Sequence, residues 1–348
     1  MRNNKQKRLL ITGGAGFIGS NLAAEFLRNG FIVTIYDNFV RLGTVENASW
    51  LKSKFPKLQI IKGDIRDRET IEKAIKDQEI IFHMAAQVAV TTSVADPRTD
   101  FEINALGTFN LLEAARKLTK KPIIIFASTN KVYGGMEDKL VVEGKTRYKY
   151  QDFPYGISES NQLDFHSPYG CSKGAGDQYV RDYFRIYGIP TVVFRQSCIY
   201  GFRQFGIEDQ GWLAWFIIAA TLGKKITIYG DGKQVRDVLF IDDLVKLFEI
   251  AVAKIDKSAG KIYNVGGGAQ NTLSVWSEFY PHLNRLFGRK LEVSFATWRP
   301  GDQKVYTSDI RLVEKELGWK PKIGVKEGIE KLFYWVAENK KLFQSLKL

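Results

Sequence analysis

Tyr169 and Lys173 stand four residues apart in Ser167-Pro168-Tyr169-Gly170-Cys171-Ser172-Lys173. If this stretch opens a helix, both side chains share one face. An ordinary phenol titrates near ~10, and a positive charge close by pulls that value down. A tyrosine tuned in this way takes a proton from a hydroxyl near neutral pH. The pair alone says little, because an aromatic ring also packs on a lysine stem on many solvated helices. Its meaning depends on the elements that position it.

The first of those elements form a nucleotide-type turn. Arg8 to Thr12 reads as a buried strand, followed by Gly13-Gly14-Ala15-Gly16-Phe17-Ile18-Gly19. Ile18, Leu22 and Phe26 then repeat at helical spacing up to Asn29-Gly30, a helix stop. Phe31 to Tyr36 is a second strand ending at Asp37. A Gly-rich turn between strand and helix lets the backbone approach a pyrophosphate at the helix N-terminus. A carboxylate at the end of the second strand suits ribose hydroxyls and repels a 2′-phosphate, so Asp37 favours NAD over NADP.

The alternation continues. Leu58 to Lys62 is a strand ending in Gly63-Asp64-Ile65, and Glu69 to Lys76 a short helix. Glu79 to Met84 is a strand ending in Ala85-Ala86-Gln87, and Phe101 to Leu118 one helix containing Asn104. Ile123 to Ala127 leads to Ser128-Thr129-Asn130-Lys131, the Tyr169 helix comes next, and Thr191 to Arg195 is another strand. This pattern predicts an α/β fold, a Rossmann-type doubly wound parallel sheet with a smaller C-terminal lobe. Ligands of such sheets sit beyond the carboxyl ends of the strands, where Thr12, Asp37, Asp64, Ala85, Thr129 and Ser197 fall.

Composition bounds the rest. At 348 residues the chain can bury a sizeable core as one large domain or two lobes. Lys plus Arg is 51 against 38 for Asp plus Glu, a net charge of +13 that suits a polyanionic ligand. No run of five or six basic residues and no nucleic-acid motif stands out, so nucleic acid is not an expected partner. Cys171 and Cys198 make no disulfide framework, and His83, His166 and His282 lie far apart, so no metal site is expected. Met1 to Lys5 is polar and runs straight into a strand, with no visible signal peptide. The longest apolar run, Trp212 to Ala220, is too short to span a bilayer. A reducing cytoplasm fits.

Taken together, Thr12-Gly13-Gly14-Ala15-Gly16-Phe17-Ile18-Gly19, Asp64-Ile65, Ser128-Thr129 and Tyr169-xxx-Lys173 resemble the extended short-chain dehydrogenase/reductase family over most of the chain. The resemblance implies a sugar-nucleotide enzyme with tightly held NAD(P). It implies Tyr169 as catalytic base/acid, Lys173 lowering its pKa and bonding the nicotinamide ribose, and Thr129 on the reacting hydroxyl. By the same resemblance Gly13, Gly16 and Gly19, with Phe17 and Ile18 in the same motif, line the pyrophosphate. Asp37, followed by Asn38, takes the ribose, Asp64 and Ile65 flank the adenine, and Ala85, Ala86, Gln87 and Asn104 border the cofactor.

Nucleotide-sugar 4,6-dehydratases carry Asp-Glu directly after the threonine, where this chain has Asn130-Lys131. Asn130 cannot protonate a leaving hydroxyl and Lys131 puts a cation where a carboxylate is needed, which disfavours dehydration. Three stretches resemble the CDP-tyvelose (CDP-paratose) 2-epimerase branch: Ser128 to Gly134, Leu163 to Lys173, and Asp209-Gln210-Gly211-Trp212 with Trp215-Phe216. The resemblance implies transient oxidation at C2 of a CDP-hexose, with NAD retained between turnovers. Another NAD-dependent nucleotide-sugar enzyme, a 4-epimerase or keto-reductase, is the alternative reading, and a non-catalytic NAD-sensing or RNA-binding protein on the same fold is a third, although Thr129, Tyr169 and Lys173 are all present. Cys198, where many 4-epimerases carry Asn, reads as tuning of the diphosphate region.

Substrate contacts are expected later in the chain. Arg236 and Arg299 are candidates for a diphosphate, since Arg offers planar bidentate donors. Arg299-Pro300-Gly301-Asp302 resembles the family's diphosphate loop. Lys131, Gln210, Trp212 and Gln234 are candidates for the nucleotide or sugar, although the Trp212 to Phe216 stripe reads equally as core. The 26-residue stretch Lys139 to Asp164 is long for a loop and is expected to wall the sugar pocket. The expected division is 1–194 plus about 237–270 for the NAD-binding lobe, with 195–236 and 271–348 for the sugar-nucleotide lobe. Val238 to Val252, Leu312 to Leu317 and Val325 to Glu338 read as helices and Lys261 to Val265 as a strand. The resemblance further implies a homo-oligomer, dimer or tetramer, through helices that include the Tyr169 helix.

Overall fold

A computed structural model describes residues 6–299 and 302–346. The polar start Met1 to Lys5 and the pair Pro300-Gly301 of the expected diphosphate loop lie outside the described residues. The chain divides into two compact units: residues 1–129, 167–195 and 245–262, and residues 130–166, 196–244 and 263–348. The switch after Arg195 falls next to the expected boundary. Residues 130–166, 237–244 and 263–270, expected with the first lobe, pack with the second unit instead.

The first unit opens with strand β1 (Arg8–Thr12), helix α1 (Phe17–Arg28) and strand β2 (Ile32–Asp37). Helix α2 (Thr44–Lys54), strand β3 (Gln59–Lys62), helix α3 (Arg68–Ala74) and strand β4 (Ile80–His83) follow. Next come α4 (Val90–Ala95), α5 (Pro97–Phe101), a π turn at Glu102–Leu106, α6 (Gly107–Lys117) and β5 (Ile123–Thr129). The expected single helix from Phe101 to Leu118 is thus broken by one turn of wider winding, a form that concentrates at functional sites.

After β5 the chain enters the second unit. The stretch expected as a long loop holds a short hairpin, β6 (Val141–Glu143) and β7 (Tyr148–Tyr150). It then returns as α7 (Ser167–Tyr187) and β8 (Thr191–Gln196). The sheet of the first unit has the order β12-β8-β5-β4-β1-β2-β3, with β12 (Lys261–Val265) entering at Lys261. Strands β1 to β5 run parallel, so β1 and β4 lie side by side where the order reverses, and Thr12 pairs with His83 at their carboxyl ends.

One face of this sheet buries Leu10, Ile81, Ile124, Phe126 and Val193 against Leu111, Val180 and Tyr183. The other carries edge-to-face ring contacts, Phe26 to Phe82 at 4.9 Å, Phe82 to Phe248 at 4.9 Å and Phe194 to Phe248 at 5.1 Å. With both faces covered, the strands read as continuous apolar runs rather than as alternating patterns.

The second unit is built on β9 (Cys198–Tyr200), helix α8 (Trp212–Leu222), β10 (Ile226–Tyr229) and β11 (Val235–Phe240). Val238 to Phe240 was expected to be helical. It is strand, paired in parallel with Cys198 to Tyr200, and helix α9 (Ile241–Ala253) starts only at Ile241. A short apolar run is ambiguous by periodicity, and here Asp242-Asp243 in the first helical turn mark the true start. Val132, Tyr133, Tyr148, Tyr150, Ile157, Val235 and Tyr306 form the core beneath β11. Among the described residues no helix is long and apolar enough to cross a membrane.

One interaction fixes where α7 sits. Asp177 is fully buried and accepts both guanidinium hydrogen bonds of Arg195 at 2.9 Å, together with the Ser128 hydroxyl at 2.7 Å. It ties α7 to the carboxyl ends of β5 and β8. Removing one partner of a buried pair leaves the other charge uncompensated, at about 3–5 kcal/mol. Asp177→Ala is therefore expected to lower the calorimetric melting temperature sharply. Glu72→Ala, which breaks exposed pairs to Arg68 and Lys117, should cost under about 1 kcal/mol. Equal melting temperatures for the two variants would show that Asp177 does not anchor the helix.

Candidate active site

The turn after β1 is shaped by its glycines. Gly13 has φ +66°, and a side chain there would run into the backbone nitrogen of Ala85 at 2.7 Å. A Cβ on Gly19 would meet the Gly13 carbonyl oxygen at 2.3 Å, so α1 packs on the turn only without one. Gly16 differs: a Cβ there would meet nothing but the Gly13 oxygen, at 3.2 Å. The protein's own packing explains Gly13 and Gly19, while Gly16 leaves open room at the helix start. Helix α1 has no side-chain cap, so Phe17 and Ile18 open it among donors that a helix cannot satisfy internally. Such a cradle fits a pyrophosphate.

Asp37 closes the turn from the other side. One carboxylate oxygen accepts the Ala15 N–H at 3.0 Å and the other the Phe39 N–H at 2.9 Å. Burial raises its pKa above the usual carboxylate range, while those N–H donors work against the rise. Each oxygen keeps a lone pair for a hydroxyl. Asn38 donates to Asp64 at 3.0 Å, and Arg66 grips Asp64 with two bonds of 2.9 Å. The Arg66 bonds hold the Asp64 carboxyl down at about 2. Ile65 is buried against Gly107.

Gln87 and Asn104 are joined directly. The Gln87 N–H donates to Asn104 Oδ1 at 2.9 Å, and Asn104 Nδ2 returns to the Gln87 carbonyl at 3.1 Å. A further chain runs from the glycine turn to the π turn. The Ala85 N–H donates to Thr12 Oγ1, which meets His83 Nδ1 at 2.7 Å. His83 Nε2 lies 3.0 Å from Thr108 Oγ1, and Thr108 donates its one hydroxyl proton to the Asn104 carbonyl at 2.6 Å. His83 must therefore be the donor to Thr108, which leaves Nδ1 bare to accept from Thr12. Burial pushes His83 down to about 3, so this neutral tautomer persists.

Thr129, Tyr169 and Lys173 are brought together in the first unit. Thr129 ends β5, and its hydroxyl hydrogen-bonds the Tyr169 phenol. Tyr169 is in the first turn of α7, with its N–H donated to Ser93 Oγ at 3.1 Å. Lys173 follows one turn on, its ammonium 4.1 Å from the centre of the Phe126 ring. The expected electrostatics require correction. Burial pushes the Tyr169 phenol up to about 12, with Thr129 and Arg41 lowering it and Asp100 raising it, and Lys173 is not among the groups that act on it. Lys173 itself is pushed down to about 7, burial outweighing Asp177 and Asp100. On the protein's own charges the phenol is protonated at neutral pH.

The second unit holds the predicted substrate residues in two clusters. Lys131 donates to Gln303 at 3.2 Å, and burial, with Arg236 nearby, lowers it to about 8. Arg236 binds Asp302 at 2.5 Å and is itself buried. Arg299 pairs with Asp209 at 3.0 Å and lies 3.9 Å over the Tyr229 ring. Gln234 donates to the Tyr229 carbonyl at 2.6 Å, and its own amide oxygen is buried without a donor. Gln210 closes a backbone turn with Ile207. Trp212 stands edge-on to Phe216 and Phe279, so the stripe packs on the core of this unit, while Trp212 and Trp215 stay half-buried. A cavity of about 810 Å³ in this unit is lined by Arg147, Thr272, Glu278 and His282 and by none of the predicted residues.

Sequence reasoning missed Asp100, Arg41, Ser93 and His83. Each carries a common residue type without a motif of its own. The signal for His83 was its place at the end of a buried strand, where a titratable ring needs partners.

The family model described as GDP-mannose 4,6 dehydratase matches residues 10–332. The chain is 44% identical to a CDP-paratose 2-epimerase of Salmonella typhi, over 95% of this chain and 99% of that protein. Among solved structures it is similar to a dTDP-glucose 4,6-dehydratase of Streptomyces venezuelae with NAD bound, with TM-score 0.84, 28% identity, and coverage of 97% and 99%. A UDP-glucose 4-epimerase of Thermotoga maritima with UDP-glucose gives TM-score 0.82 at 29% identity, covering 95% and 99%.

Lys173 also makes a stability prediction. Its pKa falls from the ordinary 10.5 to about 7 on folding. The unfolded chain then binds more protons between those values, so stability rises with pH there and is lost as pH falls toward 7. Wild type should gain on the order of 2 kcal/mol over Lys173→Met between pH 7 and 9 in urea unfolding of nucleotide-free protein. A constant difference across that window would mean Lys173 titrates normally.

Proposed function

Because the chain belongs to the extended short-chain dehydrogenase/reductase family that the GDP-mannose 4,6-dehydratase model describes, we propose that it is an NAD-dependent nucleotide-sugar epimerase that inverts C2 of a CDP-hexose, of the CDP-paratose to CDP-tyvelose type, through a transient 2-keto sugar. The observation that carries the chemistry is the grouping of Thr129, Tyr169 and Lys173 at the carboxyl end of β5 and the first turns of α7. The choice of C2 and of cytidine is supported by the Salmonella typhi relative. Asn130 and Lys131, with no carboxylate at either position, argue against dehydration.

The residues present fit the dinucleotide. The open side of Gly16 and the α1 start, with Gly13 and Gly19, would hold the pyrophosphate, and Asp37 the adenosine ribose. Asp64 and Ile65 would flank the adenine, while Ala85 to Gln87 and Asn104 border the remainder. A bound NAD would supply the acceptor and donor for the C2 hydride and a positive charge that favours ionisation of the Tyr169 phenol. Tyr169 takes the C2 hydroxyl proton and later returns it. Thr129 donates to the same oxygen, and Lys173 holds the ribose and keeps positive charge in a dry site. In the second unit Arg236 and Arg299 would take the diphosphate, exchanging carboxylate partners for phosphate oxygens. Gln234 has an amide oxygen without a donor, which suits a sugar hydroxyl or a base amine, and Lys131, Gln210 and Trp212 complete the contact set.

A homo-oligomer through α6 and α7 is part of the same proposal. Phe109, Tyr179, Ile186 and Tyr187 are exposed on those helices, an apolar grouping that a second copy would cover. Two free thiols suit a reducing cytoplasm.

Two measurements test this reading. CDP-paratose incubated with the protein in heavy water should give a product inverted at C2 and free of deuterium there by NMR. Deuterium at that carbon would replace hydride transfer with proton abstraction, and inversion at C4 would reassign the enzyme. Tyr169→Phe should still release NAD on denaturation yet lose on the order of 10²–10⁴-fold in kcat; undiminished turnover would remove Tyr169 from the chemistry.

A further inference from the structure

Besides Asp37 at the glycine turn, four charged side chains are buried in the first unit. Lys173 is 3% exposed, Arg195 2%, and Asp177 and Asp100 0% each. Two are cations and two are carboxylates. Asp177 is already engaged with Arg195 through two bonds of 2.9 Å, with Ser128 taking a further position. That leaves one cation, Lys173, and one carboxylate, Asp100. Among the described residues Asp100 has no ion pair of its own, yet its carboxylate is held by three donors. Gln87 Nε2 and Asn104 Nδ2 each reach Oδ1 at 3.0 Å, the Ser172 hydroxyl donates to Oδ2, and the Thr99 and Asp100 backbones are tied to the Asp96 cap. Ser172 is the residue immediately before Lys173.

We infer that Asp100 is a positioning residue for the Tyr169–Lys173 pair: it locks the first turns of α7 through Ser172 and adds its negative charge to that of Asp177 around Lys173. A buried carboxylate satisfied only by neutral donors keeps its full field for charges nearby. That field acts on both members of the pair. It favours the ammonium of Lys173 and opposes the phenolate of Tyr169. The other charged groups facing the pair are Asp177 on α7, Arg195 on β8, neutral His83 on β4 and Arg41 after β2. Helix α4 carries no ionisable side chain, and Glu102 on the π turn is paired with Arg98 and Arg66. Asp100 is thus the charge whose removal shifts both groups in one direction. The kinetic consequence rests on the epimerase reading, whereas the charge relation does not.

The test separates charge from shape. In full-length protein as purified, with ¹³Cε-labelled lysine, the Lys173 signal is identified by its loss in Lys173→Met. Asp100→Asn should move its titration down by about 1 pH unit, and Ser172→Ala should leave it in place. In turnover, the whole pH profile of kcat should move to lower pH in Asp100→Asn, because Tyr169 and Lys173 both fall. Ser172→Ala should lower its height without moving it. An unmoved Lys173 titration in Asp100→Asn, or an equal shift in Ser172→Ala, overturns the assignment. If Asp100→Asn does not fold, Gln87→Leu and Asn104→Leu, which strip donors but keep the carboxylate, should raise the Lys173 titration, and no change in either overturns it equally. A moved titration without C2 inversion would refute the epimerase reading and leave Asp100 in its role.

Discussion

Helix α7 depends on a carboxylate that water does not reach. Taking Asp177 and Arg195 out of solvent costs several kcal/mol per ion, and the cost is met only where the geometry is good and the remaining lone pairs are satisfied. Here two guanidinium bonds and the Ser128 hydroxyl do that. The result is a common reference point for the site. Lys173 lies one helical turn before Asp177, Tyr169 two turns before, and Thr129 directly follows Ser128. Three groups from two separate parts of the chain are therefore registered to one buried oxygen pair.

The electrostatics of that region are those of a dry pocket short of positive charge. Burial opposes ionisation of Tyr169 and protonation of Lys173 alike. The phenol is therefore not poised for proton transfer by the protein's side chains alone. A cationic ligand favours the phenolate of Tyr169 while working against the ammonium of Lys173, which couples ionisation of the phenol to cofactor binding rather than to the folded chain itself. The second unit behaves similarly. Its arginines Arg236 and Arg299 hold carboxylates, Asp302 and Asp209, which fixes the orientation of their guanidinium groups within the protein itself.

Much of this was legible from residue types. The strands Arg8–Thr12 and Lys261–Val265 and the helix Val325–Glu338 have the bounds their patterns predict. The glycine turn, Asp37 and the four-residue step from Tyr169 to Lys173 have strong local signatures. What escaped depends on contacts across the chain. Val238 to Phe240 is apolar on every side, so its period cannot tell strand from helix, and pairing with Cys198 to Tyr200 decides. Residues 130–166 carry no composition shift to mark that they leave the first unit. The lowered phenol expected of Tyr169 followed from spacing alone, and burial, which spacing does not report, wins. Asp100 reads as an ordinary helix-start acid until Gln87, Asn104 and Ser172 are seen around it.

The wide turn at Glu102–Leu106 sets a limit on how the chain can vary in length. Such a turn accommodates one residue more than an α-helix would. Deleting one residue within that turn would regularise the winding and leave the elements on either side near their present angles, whereas a deletion in the regular helix after it, between Gly107 and Lys117, would swing everything before it by about 100° about the axis. Asp100 would then face away from Ser172. Natural or engineered shortening between Pro97 and Lys117 is therefore constrained to the wide turn itself, whereas exposed stretches such as the hairpin tip near Lys145 carry no comparable angular dependence.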